Sequence, residues 1–234
     1  MIEHIHLQSC DSTQIEIQKR IKDLTSRDCN LLVSTSEQTN GHGRRGRGWL
    51  QPKSGLCFSF TITPPTIPTL LSLEIGVLIS QFFEKTYQQS IKLKWPNDLL
   101  CVKAKKVGGI IIDHIDGKYI VGIGINLEEG PKELSDISSG LHLGDFHDQD
   151  YSKIPELIYH YCLSNRCQDI IQSWSGRCLH LNQEVLIEDD DTKIEGVFKG
   201  LGENGQALIQ TPETLESFYS GTLRIKAAFE IETP

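Results

Sequence analysis

The segment with the clearest chemical potential is rich in arginine and glycine. Residues 41–49 read GHGRRGRGW, and the stretch from Gln38 to Leu73 contains no aspartate or glutamate. Arg44, Arg45 and Arg47 offer forked N–H donors for a carboxylate or phosphate, and the glycines let backbone N–H groups approach an anion. In a chain of net charge −8, this positive segment predicts a specific anionic ligand. A solvated loop, or an arginine–glycine segment that contacts RNA, remains an open alternative.

A turn sequence, KWPND at residues 94–98, follows a predicted strand. Trp95 ends the strand before Pro96, so Asn97 and Asp98 stand at its carboxyl end, where mixed sheets often bind ligands. The Asp98 carboxylate could hold Mg²⁺ or a nucleotide hydroxyl, and Asn97 could orient it. Ordinary turn chemistry explains the same residues and is the simpler interpretation when the motif is taken alone.

A lysine opens the next predicted strand. Lys106 precedes Gly108 and Gly109, and a lysine in this position can reach into a cleft and bind a carboxylate and a phosphate as a point charge. The paired glycines let a ligand or another backbone approach the strand closely. A surface lysine next to Lys103 and Lys105 is the alternative.

The following strand carries two further glycines on one face. Gly122 and Gly124 are two residues apart, so they leave a flat floor for a ring system. Asn126 ends the strand and could hydrogen-bond a base or a ribose. Tight packing between strands explains the glycines equally well.

Hydroxyl groups begin the first predicted helix. Ser12, Thr13 and Gln14 stand at its start, where the Ser and Thr hydroxyls can cap backbone N–H groups and can also contact a ligand.

Composition restricts the class of protein. The chain has 234 residues, 38% of them hydrophobic and 23% charged, as in globular proteins. Its acidic balance disfavours general nucleic-acid binding. The seven cysteines and eight histidines show no zinc-binding spacing. The N-terminal residues do not resemble a signal peptide and no apolar run is long enough for a membrane span, so we expect a cytoplasmic protein with reduced thiols.

Hydrophobic periodicity predicts an α+β protein with a mixed central β-sheet flanked by helices. Expected strands cover residues 5–7, 31–33, 56–63, 91–95, 107–115 and 118–126, the last two joined by a type I′ turn at Asp116–Gly117. Expected helices cover residues 12–24 and 154–174, with a polar loop at 34–54 and an irregular segment at 128–151. A further helix of about 18 residues is marked by Leu71, Ile75, Leu78 and Phe82.

The last part of the chain has a different pattern. Short β-segments are predicted at residues 184–187, 194–200, 207–210 and 216–219, separated by turns at 189–191 and 202–205. We therefore predict two domains, a catalytic domain over residues 1–178 and a small SH3-like β-barrel over residues 179–234.

Taken together and in this order, the motifs resemble the biotin–protein ligase family. The resemblance runs from residue 2 to about residue 127 and includes Glu37-Gln38-Thr39 before the arginine–glycine segment. It implies the biotin–lipoate ligase fold, which is related to class II synthetases. It also implies a two-step activity: biotin and ATP form biotinyl-5′-AMP with Mg²⁺, and the biotinyl group then passes to a lysine of a biotin carboxyl carrier protein.

The resemblance also implies roles for individual residues. The catalytic set is Lys106, Asp98 and Arg44, with Asp98 also the candidate Mg²⁺ ligand. The implied biotin-binding residues are Ser12, Thr13, Gln14, Gln38, Gly41, His42, Gly43, Arg44, Lys106, Gly108, Gly109, Gly122 and Gly124. The implied nucleotide-binding residues are Arg44, Arg45, Arg47, Trp49, Trp95, Asn97, Lys106 and Asn126.

Two positions depart from the family pattern. His42 stands where arginine is usual, and a neutral imidazole would hold an anion less well. Gln14 stands where asparagine is common. The ligase pattern begins at residue 2, so we expect no DNA-binding domain and no DNA partner; a homodimer is compatible with the family. The alternatives are a lipoate or octanoate transferase of the same fold, a degenerate biotin-binding member, and an RNA-binding module.

Overall fold

The first part of the chain builds a mixed sheet of seven strands. The computed structural model describes residues 2–23, 30–50, 54–128, 138–141, 151–189 and 192–226. The strands up to residue 126 are β1 (Ile2–Cys10), β2 (Asn30–Gln38), β3 (Gly41–His42), β4 (Gly48–Trp49), β5 (Gly55–Ile62), β6 (Lys92–Lys94), β7 (Asp98–Leu100), β8 (Lys106–Ile115) and β9 (Lys118–Asn126). The sheet order is β1-β2-β5-β9-β8-β7-β6. Only the β1–β2 pair is parallel among these neighbours, and β3 pairs with β4 in a separate small hairpin.

Helices cover both faces of this sheet. They are α1 (Thr13–Asp23), α2 (Leu71–Tyr87), α3 (Ile154–Ser164) and α4 (Ile170–Ser175). Helix α1 packs on one face, where Ile17 and Ile21 meet Leu31, Val33 and Ile120. Helices α2, α3 and α4 lie on the other face with the main hydrophobic core.

The two faces of the central strands carry different residues because side chains alternate along a strand. On β5, Leu56, Phe58 and Phe60 belong to the main core, whereas Ser59 points to the α1 face. On β9, Val121, Ile123 and Ile125 belong to the main core, and the intervening positions are Gly122 and Gly124. At Ser59, Gly122 and Gly124 the α1 face of the central sheet therefore carries small residues, which leave room above it.

The last part of the chain forms an antiparallel sheet of five strands. They are β10 (Glu184–Asp189), β11 (Thr192–Leu201), β12 (Ala207–Gln210), β13 (Leu215–Phe218) and β14 (Thr222–Ile225), in the order β13-β12-β11-β10-β14. The predicted α+β class is confirmed, but the closed barrel is wrong. Strands β13 and β14 lie at opposite edges without pairing in the described residues. The apolar side chains of this sheet instead join the core of the first part, where Trp174 contacts the Phe198 ring.

Several elements differ from the expectations. The helix predicted over 154–174 is two helices, because the chain between them turns so that Arg166 pairs with buried Glu74 of α2 at 2.6 Å. The segment 34–54 is less irregular than predicted, since β2 continues to Gln38 and the β3–β4 hairpin follows. Strands β7 and β14 were not predicted. Most of segment 128–151, and residues 24, 190 and 191, lie outside the described residues.

The type I′ turn predicted between β8 and β9 is present, with positive φ at Asp116 (51°) and Gly117 (76°). No helix in the described segments is long and apolar enough to cross a membrane.

Candidate functional site

A cavity of about 210 Å³ lies on the α1 face of the central sheet. The start of α1, strands β5, β8 and β9, the β3–β4 hairpin and the start of β14 surround it. Among the predicted site residues, those that line the cavity are Thr13, Gln38, His42, Gly43, Arg44, Arg45, Arg47, Trp49, Trp95, Asn97, Asp98, Lys106, Gly109, Gly122 and Gly124. Residues from both predicted domains thus meet at one site.

The floor of the cavity is a row of small residues across paired strands. Ser59 of β5 pairs with Gly122 of β9, and Gly124 pairs with Gly109 of β8. The Trp49 ring lies directly on Gly124, where an added Cβ would stand 2.5 Å from its Cζ2 atom. Glycine at position 124 therefore allows the indole to lie flat against the sheet.

One end of the cavity is neutral and buried. Thr13 is 3% exposed and Ser59 is fully buried, and their hydroxyl oxygens are 2.9 Å apart. The backbone N–H of Thr13 donates to Gln38 Oε1 at 2.9 Å. This end offers oriented hydrogen-bonding groups without charge, which suits a neutral polar ring.

The middle of the cavity holds a carboxylate between two lysines. Asp98 Oδ1 is 2.5 Å from Lys106 Nζ, and Asp98 Oδ2 is 2.7 Å from Lys94 Nζ. Burial alone would raise the pKa of Asp98, but the two ammonium groups outweigh it and hold that pKa below its usual value. Lys106 also lies 5.9 Å from the centre of the Trp49 ring. The cluster therefore carries a net positive charge that can attract an anion.

The other end is the β3–β4 hairpin with its arginines. Arg44 donates to Asn97 Oδ1 at 3.4 Å, and Asn97 Nδ2 donates to the Ile110 carbonyl at 2.6 Å. Burial, together with the like charge of Arg45, lowers the pKa of the Arg44 guanidinium. An anion bound between these groups would offset their repulsion.

The C-terminal sheet holds the tip of this hairpin. Arg45 forms an ion pair with Asp189, whose carboxylate also accepts from Ser220 Oγ at 2.7 Å. Arg47 donates to Thr222 Oγ1 at 3.0 Å. Arg45 has a φ of 56°, a left-handed conformation that is uncommon outside glycine. The hairpin is thus bent towards the cavity and anchored from the other sheet.

Five predicted site residues do not line the cavity. Ser12 and Gln14 are buried at the start of α1, and the Gln14 amide is used inside the protein. Gly41 lies under Gln38 and Trp49, and Gly108 faces Leu99 on the opposite side of the sheet. Asn126 is buried and donates to the Ser139 carbonyl at 3.4 Å.

Two predicted residues contribute in unexpected ways. Trp95 is almost fully buried and its Nε1 donates to the Gly205 carbonyl at 3.0 Å, so it joins the two sheets. His42 is exposed at the rim, where a second cavity of about 490 Å³ begins. That cavity shares Arg44 and Arg45 with the first and extends towards Tyr219.

Sequence reasoning missed Ser59 and the residues of β14. Ser59 is a single hydroxyl in the hydrophobic run LCFSFTIT, which is a signal that could have identified it. Gly221, Thr222 and Leu223 also line the cavity. Nothing in their local sequence indicates this, because their position depends on how the two sheets pack.

The cavity shows little provision for a resident metal or a covalent intermediate. The described residues contain no group of three or more His, Cys, Asp or Glu side chains arranged to hold a metal ion. The Asp98 carboxylate is already paired on both oxygens by lysines. Burial raises the pKa of the nearby Cys57 thiol to about 12, so this sulfur is a poor nucleophile.

Comparison with known families identifies the class of protein that this fold and site define. The Biotin/lipoate A/B protein ligase family matches residues 8–128, and the Biotin protein ligase C terminal domain matches residues 180–222. The first match covers more than half of the chain, so the chain belongs to the Biotin/lipoate A/B protein ligase family.

Three proteins of this class show how similar the chain is to known biotin protein ligases. A structure of "Biotin protein ligase from Aquifex aeolicus in complex with biotin and ATP" is 31% identical, with a TM-score of 0.75 over 95% of this chain and 99% of that one. The "Bifunctional ligase/repressor BirA" of Escherichia coli is 25% identical over 93% of this chain and 72% of its own length. The corresponding Bacillus subtilis protein is 26% identical over 83% of this chain, and the match spans 66% of its length.

Proposed function

We propose that this chain is an ATP-dependent biotin–protein ligase. It would activate biotin as biotinyl-5′-AMP and transfer the biotinyl group to a lysine of a biotin carboxyl carrier protein. The observation that carries the proposal is a single cavity with a neutral, buried polar end and a cationic end, joined by Lys106. The similarity to known biotin protein ligases supports it, since the Aquifex aeolicus structure contains both biotin and ATP.

In the first step, a carboxylate oxygen of biotin attacks the α-phosphorus of ATP, and the bond to the β-phosphate breaks to release pyrophosphate. Thr13, Ser59 and Gln38 would hold the neutral ring of biotin at the buried end. Lys106 would then lie where the carboxylate and the α-phosphate meet. There its charge would offset their repulsion and stabilise the transition state.

The hairpin would complete the site around the phosphates. Arg44 and Arg47 would bind phosphate oxygens, and the indole of Trp49 would separate the ring of biotin from the nucleotide. Gly43 and Gly109 would allow close approach of the ligand. Asn97, which already holds Arg44, would keep that guanidinium in place.

In the second step, the amine of the acceptor lysine attacks the biotinyl carbonyl carbon, an amide forms and AMP leaves. Asp98 would attract the acceptor's ammonium group. Because the two lysines lower its pKa, Asp98 is a weak base, so the proton of the acceptor must pass onward to water. Asp98 is therefore proposed to orient the acceptor lysine.

Magnesium would enter with ATP as part of the substrate. Mg²⁺ in nucleotide sites is usually bound by one or two carboxylates together with phosphate oxygens and water. Asp98 is the acidic residue that lines the cavity, and it would have to release one lysine to ligate the ion. Its role as a magnesium ligand stays a proposal.

A lipoate or octanoate transferase is the nearest alternative. An aliphatic acyl chain would make no hydrogen bond with the hydroxyl of Thr13 or the amide of Gln38, whereas the neutral polar ring of biotin could bond to both. An RNA-binding module is less well supported, because Arg45 and Arg47 contact the C-terminal sheet. A degenerate biotin-binding member would share the buried end and differ only at the hairpin, where His42 stands.

The test is biotin-dependent exchange of labelled pyrophosphate into ATP with the purified protein and Mg²⁺. Lipoate and octanoate serve as matched acids. We expect exchange with biotin and none with the other two, followed by labelling of an isolated carrier domain. Exchange with lipoate instead would assign the alternative transferase, and exchange with no acid would indicate a degenerate member. The identity of the carrier, a homodimer and a cytoplasmic location remain predictions.

A further inference from the structure

A chain of hydrogen bonds connects the outer part of β8 with the buried end of the cavity. Asp113 Oδ2 accepts from Gln14 Nε2 at 3.0 Å and from Gln18 Nε2 at 2.8 Å. Ser59 Oγ donates to Gln14 Oε1 at 2.8 Å. Thr13 Oγ1, 2.9 Å from Ser59 Oγ, is the last member of the chain.

Two groups that can only accept set the direction of this chain: the Asp113 carboxylate, 3.0 Å from Gln14 Nε2, and the Ile120 carbonyl oxygen, 3.4 Å from the same nitrogen. An ionised carboxylate only accepts, so the Gln14 amide must direct its NH₂ group to Asp113 and its oxygen to Ser59. Ser59 has one hydroxyl proton and gives it to Gln14, so Ser59 can only accept from Thr13. The Thr13 proton therefore has two acceptors within the protein, Ser59 Oγ at 2.9 Å and Gln38 Oε1 at 3.4 Å. The side of Thr13 Oγ1 that faces the cavity carries lone pairs.

The side-chain amide of Gln38 lies beside Thr13, and the Thr13 backbone fixes its orientation. The Thr13 backbone N–H donates to Gln38 Oε1 at 2.9 Å, so the amide nitrogen of Gln38 is the end directed away from it. That nitrogen lies 3.7 Å from Cys57 Sγ, a weak acceptor. The buried end thus presents an acceptor at Thr13 beside a donor at Gln38.

We propose that Asp113 sets the donor–acceptor polarity of the cavity through Gln14, Gln18 and Ser59, and thereby selects a cyclic urea. A urea ring offers an N–H donor next to a C=O acceptor, which complements Thr13 and Gln38. The inference rests on the proposed function. It makes Gln14, which was predicted to contact biotin, a positioning residue, and it adds Asp113, Gln18 and Ser59 to the specificity of the site.

The substitution Asp113→Asn removes the directionality with almost no change of shape. An asparagine amide can donate as well as accept, so only the longer bond from Gln14 Nε2 to the Ile120 carbonyl would still favour the original direction. The chain could then reverse, and Thr13 could donate into the cavity. We expect KM for biotin to rise roughly tenfold, with kcat and KM for ATP little changed. Asp116→Asn is the matched control, because Asp116 lies in the exposed turn between β8, which carries Asp113, and β9.

The decisive readout is discrimination between ligands of opposite polarity. The probes are the two cyclic carbamate analogues of biotin, in each of which one ureido N–H is replaced by an oxygen. The parent protein should reject the analogue that places an acceptor against Thr13. In Asp113→Asn the affinity ratio of biotin to that analogue should fall towards one, since Thr13 can then donate. Ser59→Ala interrupts the chain at another point and should lower the same ratio.

The outcomes separate this inference from the function on which it rests. Equal loss of affinity for biotin and both carbamates in Asp113→Asn and Ser59→Ala would show that these residues act only on structure, and would overturn the inference. Unchanged ratios would also overturn it. In either case biotin-dependent exchange by the parent would leave the proposed function intact, whereas a parent that does not bind biotin would overturn both.

Discussion

The two ends of the cavity are built in different ways. The end at Thr13, Ser59 and Gln38 is neutral and largely buried, and it is formed by the start of α1 together with strands β2 and β5 of the central sheet. The end at Arg45 and Arg47 is exposed, charged and held by contacts with the other sheet. The first is fixed by the fold of the central sheet, whereas the second depends on how two parts of the chain meet.

This difference suggests that the two ends of the cavity have different functions. Buried neutral hydrogen bonds are insensitive to salt and penalise any ligand that leaves them unpaired, so they provide selectivity. Exposed charges are screened by salt and contribute little individually, so they can close over an anion and release it. Lys106 lies between the two ends, so its removal should impair the reaction that joins their ligands while weakening binding at the buried end far less.

The largest effect is expected for Lys106→Ala. We expect biotin-dependent pyrophosphate exchange to fall at least about 100-fold, because the charge that offsets two approaching anions is lost. Binding of biotin at the buried end should weaken far less. The measurement is exchange rate together with biotin affinity by calorimetry.

Lys103→Ala is the control, because Lys103 is an exposed lysine that precedes the same strand. Wild-type exchange by Lys106→Ala would show that the two ends do not need this lysine. An equal loss in Lys103→Ala would assign the effect to general surface charge.

The second prediction concerns His180, which lies where the two parts of the core meet. His180 is fully buried between Trp174 and Phe198, and its Nε2 has no partner among the described residues. Burial, with a smaller contribution from Lys94, lowers its pKa from 6.5 to about 3. The folded protein therefore holds the imidazole neutral over a pH range in which the unfolded chain binds a proton.

The difference in the pKa of His180 between the folded and unfolded states determines how stability changes with pH. Between pH 6.5 and pH 3 the unfolded state takes up the proton, so stability falls as the pH is lowered, by up to about 1.4 kcal/mol per pH unit. Urea unfolding at pH 7 and pH 5 measures it. His180→Gln should lose about 2 kcal/mol of that dependence, whereas the exposed His160→Gln should behave as the parent. An unchanged pH dependence in His180→Gln would contradict the prediction.

Sequence reasoning identified some residues of the cavity and missed others. The glycines of β8 and β9 and Lys106 were singled out by their positions in predicted strands or at their start, and Thr13 by its position at the start of a predicted helix. Ser59 was hidden in an apolar strand, and Asp113 looked like an ordinary strand residue. Only the fold connects these two residues to the cavity. Ser59 pairs with Gly122 across the sheet, and the Gln14 amide hydrogen-bonds both Ser59 and Asp113.

The C-terminal contribution was beyond local reasoning. Asp189 belongs to a run of three aspartates that looked like a solvated turn, and Thr222 lies in a strand that was not predicted. Both contact the hairpin through long-range packing. The closed barrel was predicted from short strands and tight turns, but these patterns do not reveal that the sheet uses its apolar face to join the main core.

The third prediction tests the anchoring of the hairpin. The Arg45 and Asp189 side chains are 37% and 24% exposed, so their ion pair should contribute at most about 1 kcal/mol. Asp189→Ala should therefore increase the rate at which biotinyl-5′-AMP is lost by up to about fivefold, measured by adenylate retention on a desalting column. The increase should be larger at low salt than at high salt.

A double-mutant cycle with Arg45→Ala isolates the pair. Glu188→Ala is the matched control, because Glu188 precedes Asp189 in β10 and pairs with Lys193 and Arg224 within the C-terminal sheet. Strictly additive effects of the Arg45 and Asp189 substitutions would show that the contact does not retain the adenylate, and the hairpin would then close without help from the second sheet.

The smallest effect is expected for His42→Arg. His42 is exposed at the rim of the cavity beside Arg44 and Arg45, so an added charge gains from a bound anion but is repelled by its neighbours. We expect KM for biotin to fall about twofold at low salt, with the gain lost at high salt. His42→Gln, which adds no charge, is the matched control and should bind biotin as the parent does. If arginine instead improved binding equally at low and high salt, the rim would act by direct hydrogen bonding like the buried end, and the contrast between a screened end and an unscreened end would not hold at this position.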